Sequence, residues 1–453
     1  MKPFSWIKTP LSMMVRTQQI SYAISRRGAA AGLKDLGIEV GKRGVALITR
    51  NQPTSRSFDS IFGKRLAATF IDLGPTFIKL GQMLAQRPDW VGEDIARELR
   101  ILFDRIPGIS YRKVEKILKS EWGKDKFRKA ILKIEKKPLA SASLSQTHVA
   151  SLRDGREVIL KVQKPKVEQL VRLDLQLIES AVTVLETLYP KLSLKLAFND
   201  FKQATLREID YREEAKNIDR FQKNNRTVFS SSSVVFPNYE KDLLTKRVIA
   251  LAPMRGKKAS ELKNNSRAAK RAAHLGATAV LEQIFEHGFF HADPHAGNLF
   301  FLEDSGKLGF IDLGLVGQLE PQDRLKFSRV MLAIVKRDRN NLARSLYALG
   351  VAGKTTQYSE FELGIQKILD GIKSKGMKNI KINKVVDELF EVAHSNQIYI
   401  PNRYLMMIRS CLMIEGVAKE LDKDISLVGL AAPILTRTVL KNFNPLRILR
   451  LGK

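Results

Sequence analysis

The chain has a single cysteine, Cys411, among its 453 residues. One thiol excludes an intrachain disulfide framework and a zinc site built from several cysteines. The sequence also lacks any apolar run of about 18 residues or more, and its best candidate, residues 425–435, is short and contains Pro433, so no transmembrane helix is predicted. With 44% hydrophobic residues, the chain can still bury cores for roughly two or three domains.

Acidic residues are missing from both ends of the chain. None occurs in the first 34 residues or after Asp424, and the formal net charge is +30. Such a balance predicts a polyanionic partner, either nucleic acid, an anionic membrane face or phosphates. The first 34 residues resemble a transit peptide in composition, and equally a basic interfacial helix or a solvated basic helix. Since no recognition helix, zinc finger or RNA-stacking module accompanies the charge, anionic lipid is favoured over a specific nucleic acid.

One constellation of polar residues lies between Phe289 and Gly317. His291 and Asp293 are followed by Asn298 and, after an apolar hairpin-like run, by Asp312-Leu-Gly. The order and spacing match the kinase signatures His-x-Asp, Asn and Asp-Phe-Gly, with leucine in place of phenylalanine. Phosphoryl transfer needs a divalent metal and positioned charge, so Asn298 and Asp312 are predicted to bind Mg²⁺. Asp293 would orient or deprotonate an attacking hydroxyl or water; a polar loop without metal is the alternative.

The hydrophobic period changes from helical to strand-like after Ile131. Residues 131–140, 146–152 and 155–163 predict three antiparallel strands, and two further runs, Val234–Pro237 and Leu243–Ile249, predict strands that complete a five-stranded sheet. Between the first two strands, where a kinase has its glycine-rich loop, lie the small residues Ala140, Ser141, Ala142 and Ser143. Small side chains let backbone N–H groups approach phosphates, although alanine and serine do not readily adopt positive φ.

Three charged sites accompany this sheet. Lys161 ends the segment Val158-Ile-Leu-Lys, which matches the Val-Ala-Ile-Lys pattern whose lysine contacts nucleotide phosphates and pairs with a helix glutamate. A solvent-facing strand lysine is the alternative. Four acids fall within residues 208–214, and one is predicted to pair with Lys161 and another with Lys79 or a metal, unless the segment is a solvated acidic turn. Lys79 and Gln82 share one face of the helix predicted over Leu73–Val91, a spacing more typical of solvated surface.

Taken in order, these motifs resemble those of the UbiB/AarF atypical-kinase family. The Lys-x-Gly-Gln motif matches Lys79 to Gln82, the alanine-rich loop matches residues 140–143 followed by Gln146, and the Glu-x-Asp motif matches Glu208 and Asp210. The segment 290–298 and the Asp-x-Gly metal motif complete the match, which covers residues 73–350 and leaves both ends without a counterpart. Ala296 departs from the usual proline, and residues 251–256 lack the acid expected for adenine contacts.

The resemblance implies an α+β, protein-kinase-like two-lobed fold with an N-terminal helical extension. Residues 1–110 would form the extension, residues 111–253 the N-lobe with the small antiparallel sheet, and residues 254–453 a mostly helical C-lobe with a basic tail. By the same resemblance, Lys79 would contact Glu208 and Asp210, Lys161 would pair with Glu214, and the extension would occlude a protein substrate.

The implied function is that of a kinase or ATPase that uses ATP (or ADP) and Mg²⁺ and supports ubiquinone or other prenylquinone biosynthesis. Its implied partners are anionic membrane lipid, a small-molecule ligand of the prenylquinone-precursor type, and quinone-biosynthesis enzymes. The implied place is the cytoplasmic face of the inner membrane in a bacterium, or a mitochondrion or plastid in a eukaryote. The alternative is a pseudokinase scaffold that binds nucleotide and lipid without turnover. A conventional Ser/Thr protein kinase is disfavoured, because no Ala-Pro-Glu segment follows Gly314 and residues 315–323 are short for an activation loop.

Overall fold

The structure is a computed structural model of the chain. It describes residues 8–26, 56–85, 91–103, 108–188, 194–225, 233–336, 339–352, 358–375, 388–389, 391–393, 395–396 and 398–442. The chain divides into two compact units, the first comprising Met1–Arg212 with Glu240–Leu251 and the second Glu213–Tyr239 with Ala252–Lys453. The three domain boundaries inferred from the sequence remain a prediction, and each unit is described by itself.

The first unit begins with helices that pack on one another. They are α1 (Lys8–Arg26), α2 (Arg56–Leu73), α3 (Pro75–Ala85), α4 (Glu93–Leu99), α5 (Tyr111–Trp122) and α6 (Lys124–Ala130). The predicted turn before α3 is present: Gly74 has a φ of 94°, which a glycine adopts without strain, and Pro75 occupies the first helical position. The helix lies against α2, with Phe77 and Ile78 in a core shared with Phe70 and Leu73.

Gly81 explains why the middle of α3 carries no side chain. A Cβ at this position would lie 2.3 Å from Leu102 and 2.5 Å from Phe70, and neither distance is sterically possible. Leu102 belongs to a short 3-10 turn, Arg100–Phe103, and it is almost fully buried. The glycine of the Lys-x-Gly-Gln motif therefore permits α3 to pack closely against its neighbours.

A five-stranded sheet completes the first unit. Its strands are β1 (Ile131–Ile134), β2 (Ala140–Ser141), β3 (Ser145–Leu152), β4 (Glu157–Gln163) and β6 (Val248–Leu251). Their order is β1-β3-β4-β6, with β2 paired to β3, and all pairs are antiparallel. Helices α7 (Val167–Leu188) and α8 (Leu194–Glu208) follow β4. The three strands predicted from residue 131 onward and the strand count are confirmed.

One predicted member of that sheet is wrong. Val234–Val235 forms β5, which pairs in parallel with β10 (Lys307–Phe310) in the second unit rather than with the strands of the first. The fifth position is taken by the two-residue strand β2. The predicted strand over Leu243–Ile249 also shifts, because residues 241–243 form a 3-10 turn and pairing begins at Val248.

The second unit is mainly helical. Its strands beyond β5 are β7 (Lys257–Lys258), β8 (Phe289–His291), β9 (Leu299–Leu302), β10, β11 (Val316–Gln318), β12 (Val351–Ala352) and β13 (Ile398–Tyr399). Its helices are α9 (Tyr211–Asn225, of which two residues belong to the first unit), α10 (Arg267–Glu282) with a π-helical end over Gln283–His287, α11 (Pro321–Lys336), α12 (Arg339–Tyr347), α13 (Tyr358–Lys375), α14 (Asn402–Leu421) and α15 (Leu427–Asn442). Among the described helices, none is both long and apolar enough to cross a bilayer.

Arg16 of α1 is buried, contrary to the solvated helix that was one interpretation of this segment. Its Nε lies 2.6 Å from Asp174 Oδ1 and its Nη2 lies 3.1 Å from Asp174 Oδ2, and Nη2 also donates to the Leu73 carbonyl at 2.6 Å. Arg16 is 8% exposed and Asp174, on α7, is fully buried. One guanidinium thus joins α1, the end of α2 and α7, and it compensates a carboxylate that has no access to water.

We expect Arg16→Met to destabilise the first unit by about 3–5 kcal/mol, because the substitution leaves the Asp174 carboxylate buried without its cation. The matched control is Arg172→Met on α7, whose exposed ion pair with Glu168 should contribute about 1 kcal/mol or less. Denaturant unfolding of the two variants measures the difference. Equal losses in both would contradict a structural role for α1.

Candidate active site

The β9–β10 hairpin brings the two predicted metal-binding residues together. Leu299 is paired with Phe310, and the next main-chain hydrogen bond runs from Ile311 N to the Asn298 carbonyl at 3.0 Å. Asn298 immediately precedes β9 and Asp312 follows Ile311, so both lie at the same end of the hairpin. The spacing in the sequence predicted this arrangement, since antiparallel pairing returns the chain to where it started.

Asp312 has a backbone conformation that is rare outside glycine. Its φ is 56°, in the left-handed region that costs an L-residue about 1–2 kcal/mol, somewhat less for aspartate. The next residue, Leu313, is 1% exposed, and its carbonyl accepts a hydrogen bond from Asn217 Nδ2 of α9 at 2.9 Å. Leucine therefore fills the apolar position that phenylalanine has in kinases, and it holds a strained turn from which the Asp312 side chain is exposed.

The amide of Asn298 has a defined orientation. The side chain is 8% exposed, and its Nδ2 donates to the Asp293 carbonyl at 3.1 Å. Since the nitrogen faces that carbonyl, the amide oxygen points away from it. An amide oxygen beside an exposed carboxylate is a suitable pair of ligands for a hard divalent cation.

His291 connects the loop that carries Asp293 to the strand that carries Asp312. Asp293 N donates to His291 Nδ1 at 3.0 Å, so Nδ1 is the acceptor and Nε2 must bear the proton that is donated to the Ile311 carbonyl at 3.1 Å. Burial lowers the pKa of His291, which keeps the ring neutral. Ser410 Oγ donates to the His291 carbonyl at 2.8 Å and fixes the residue from the side of α14.

Glu214 lies next to the Asp-Leu-Gly turn in the second unit. It is 4% exposed, and a Cβ at Gly314 would lie 3.9 Å from its Oε2 and 3.5 Å from Asp312 Oδ1. The two carboxylates are therefore neighbours on either side of the glycine. Lys161 belongs to the first unit, so its pairing with Glu214 remains a prediction.

Lys161 is in the middle of the sheet of the first unit. It is paired with Thr147 on one side and Ile249 on the other, so it is not on an edge strand. Its Nζ lies 5.6 Å from the centre of the buried Tyr211 ring, a cation–π distance. The half-buried position contradicts the alternative of a solvent-facing edge lysine.

The run of small residues is only partly a loop. Ala140 and Ser141 form β2 and are paired with Thr147 and Gln146, and Ala142 N donates to the Ser145 carbonyl at 2.9 Å. A turn is therefore confined to residues 142–144. The predicted loop over 140–143 is too long, because alanine and serine can pair as a strand as readily as they can line a loop.

Gln146 is a structural residue in this geometry. Its Oε1 accepts from Ile109 N at 2.7 Å and its Nε2 donates to the Ile109 carbonyl at 3.0 Å, so the side chain pairs with the backbone as a strand would. The Nε2 also lies 2.9 Å from Nε2 of the buried His148, whose Nδ1 donates to the Glu135 carbonyl at 2.8 Å. These contacts attach the segment before α5 to the sheet.

The Lys-x-Gly-Gln and Glu-x-Asp motifs meet within the first unit. Lys79 Nζ forms an ion pair with Glu208, whereas Asp210 pairs with Arg212 at 2.7 Å rather than with Lys79. Burial raises the pKa of Asp210, but hydrogen bonds from Arg212 outweigh it and leave this pKa below its usual value. Gln82 Nε2 donates to the Leu102 carbonyl at 2.8 Å. Its catalytic assignment remains a prediction, and in this structure it holds the turn beside α3.

Arg409 was missed by the sequence analysis. It lies on α14, and its Nη2 is 3.5 Å from Asp293 Oδ1. Burial lowers the pKa of Arg409 and the Asp293 carboxylate partly offsets this, which is consistent with a guanidinium held mainly by that acid. A lone arginine on a helix has no distinguishing spacing, so only the fold identifies it.

Comparisons with known proteins agree with the motifs. The sequence model of the ABC1 atypical kinase-like domain matches residues 101–346, and that of the UbiB helical domain matches residues 365–426. The chain is 30% identical to the probable protein kinase UbiB of Pseudomonas fluorescens strain Pf-5, over 85% of this chain and 73% of the relative. It is 30% identical to the chloroplastic protein ACTIVITY OF BC1 COMPLEX KINASE 1 of Arabidopsis thaliana, over 94% of this chain and 63% of the relative.

Two further matches complete the set. A Clostridium pasteurianum protein from the hydrogenase 1 5′ region is 31% identical over 82% of this chain and 70% of the relative. The solved Rv3197–erythromycin complex from Mycobacterium tuberculosis is 22% identical, with 76% of this chain and 90% of that chain covered and a TM-score of 0.47. The chain spans about two thirds of the length of the curated relatives it matches.

The Lys79–Glu208 ion pair can be tested by a double-mutant cycle with Lys79→Met and Glu208→Gln. Both side chains are mostly buried, at 20% and 29% exposure, so we expect a coupling free energy of about 0.5–1 kcal/mol in thermal unfolding. The same cycle on Lys202 and Glu179, a more exposed pair between α8 and α7, should give a smaller value. No coupling between Lys79 and Glu208 would show that the two motifs do not meet in solution.

Proposed function

Because the chain belongs to the ABC1/UbiB atypical kinase-like family, we propose that it binds a magnesium–nucleotide complex and acts as an atypical kinase or ATPase. The observation that supports this best is the pair formed by Asn298 and Asp312 at one end of the β9–β10 hairpin. A strained left-handed aspartate costs stability, and in a folded protein such strain is most often found where a site requires it.

The residues of the site fit Mg²⁺ and a polyphosphate. Magnesium in kinases is held by one or two protein oxygen ligands, and phosphate oxygens and water complete its shell. The Asn298 amide oxygen and the Asp312 carboxylate would be those ligands. When bound, the metal neutralises charge on the phosphates. Lys161 would contact the phosphates, and the N–H groups of residues 140–143 would approach them, as the family resemblance implies.

The second unit also holds a group that can act on the phosphoryl acceptor. Asp293 would orient the attacking hydroxyl or water and take its proton. Its backbone N–H is bound to His291, and its carboxylate is paired with Arg409, so both ends of the residue are held. Arg409 favours the charged form of Asp293, which a proton acceptor needs.

The acceptor we propose is water or a small molecule rather than a protein. Lys79 already bridges the helical extension to the Glu-x-Asp motif, and this ion pair favours a site covered on the side where a protein substrate would enter. By the family resemblance, the small molecule would be an intermediate of ubiquinone or another prenylquinone. Partner enzymes of that biosynthesis would belong to the same proposal.

We further propose that the protein works at the surface of an anionic membrane. The formal net charge of +30 favours such a surface, at about 1 kcal/mol for each basic residue close to it. The face of the bacterial inner membrane, or an organellar membrane in a eukaryote, would satisfy the same requirement.

Asp312→Asn should abolish the rise in melting temperature that MgATP produces, because the amide cannot replace the carboxylate on the metal. Thermal shift with and without MgATP is the measurement. Asp304→Asn is the matched control, since this exposed acid lies in the turn at the other end of the same hairpin and should leave the shift unchanged.

A normal MgATP response in Asp312→Asn would refute the metal assignment. Hydrolysis of the nucleotide separates turnover from binding alone. If the wild type binds MgATP but hydrolyses none with or without anionic vesicles, the pseudokinase scaffold would replace the enzyme.

A further inference from the structure

Helices α7 and α8 form an antiparallel hairpin whose end is bounded by residues 188 and 194. Lys202 Nζ pairs with Glu179 Oε2 at 2.8 Å, and Lys195 N donates to Glu186 Oε2 at 3.3 Å. The two contacts show that the helices run in opposite directions and that Leu188 and Leu194 lie at the same end. From the Glu179–Lys202 contact to Leu188, α7 extends about 13 Å, given a rise of about 1.5 Å per residue.

The end of this hairpin is apolar and exposed to solvent. Val184 is 61% exposed, Leu185 42%, Leu188 65% and Leu196 44%. In α7, every residue of which the structure describes, no side chain after Leu175 is buried. Large apolar side chains gathered on one exposed projection are seldom retained without a partner that covers them.

The charge around these residues indicates what that partner is. The sequence from 187 to 199 contains no acid, and Lys195 is exposed beside Leu196. Residues 176–202 also contain no arginine or tryptophan, the side chains most enriched at the centres of protein interfaces, where leucine and lysine are under-represented. Leucine with lysine instead suits a bilayer surface, where apolar groups enter the acyl boundary and ammonium groups meet lipid phosphates.

We propose that the end of the α7–α8 hairpin is the element that docks the protein onto an anionic bilayer, an inference that rests on the membrane association proposed above. Val184, Leu185, Leu188 and Leu196 enter the interface, and Lys195 contacts the lipid phosphates. The basic ends of the chain are not required for this contact, because the hairpin itself supplies both the apolar groups and the cation.

The test is sedimentation of the full chain with vesicles of phosphatidylcholine alone or with phosphatidylglycerol. Leu185→Ser/Leu188→Ser should reduce partitioning by about tenfold or more, since burying one leucine is worth roughly that factor. Lys195→Gln should reduce it about fivefold, and only on vesicles with phosphatidylglycerol. The matched control is Leu132→Ser/Leu139→Ser, which removes two leucines of 60% and 61% exposure from the sheet region and should leave partitioning unchanged.

A direct readout locates the contact. In a Cys411→Ser background, an environment-sensitive dye on Leu188→Cys should brighten when anionic vesicles are added, whereas the same dye on Leu139→Cys should not. If the wild type binds neither kind of vesicle, both the proposed membrane association and the hairpin assignment are wrong. If it binds and Leu185→Ser/Leu188→Ser binds equally well, only the hairpin assignment is wrong. A change of oligomeric mass in that variant without a change in lipid partitioning would assign the leucines to a second copy of the chain instead.

Discussion

The antiparallel pairing of β9 with β10 is the constraint on which the candidate site depends. It places Asn298 and Asp312 at one end of the hairpin, and the main-chain hydrogen bond from Ile311 to Asn298 extends the pairing up to the two side chains. His291 then connects Asp293 to Ile311 through its two ring nitrogens. A proposed base and two proposed metal ligands are thereby held by a few hydrogen bonds. Burial of the ring keeps it neutral, which is the form that can accept at one nitrogen while it donates from the other.

Much of this local arrangement could be predicted because it depends on short-range spacing. Two segments joined by a tight turn can pair in few ways, so the separation of Asn298 from Asp312 indicated their proximity. The alternation after Ile131 likewise predicted β1, β3 and β4. Val234–Val235 was assigned to the wrong sheet because a short β-branched run carries no information about its partner, and its pairing with β10 joins residues distant in sequence. The small residues from Ala140 were ambiguous between loop and strand for a related reason.

Other residues could not be found without the fold. Arg16 and Arg409 look alike in the sequence, as single arginines on helices, yet one compensates a buried carboxylate and the other faces Asp293. The leucines at the end of the α7–α8 hairpin read as an ordinary apolar stripe, and only their exposure distinguishes them from core residues. A chain with a large excess of positive charge therefore uses individual cations in different ways, some inside the protein and some on its surface.

The central claim is that Lys161 and the Asn298–Asp312 pair act on one magnesium-bound nucleotide. An acyl phosphate of ATP, which transfers its acyl group to a lysine lying against the phosphates, tests this claim most directly when the modified residue is identified by mass spectrometry. The account predicts acylation of Lys161 that requires Mg²⁺, is suppressed by excess MgATP and is much weaker in Asp312→Asn. Acylation spread over surface lysines, with Lys161 labelled no more than the others and without protection by MgATP, would contradict it.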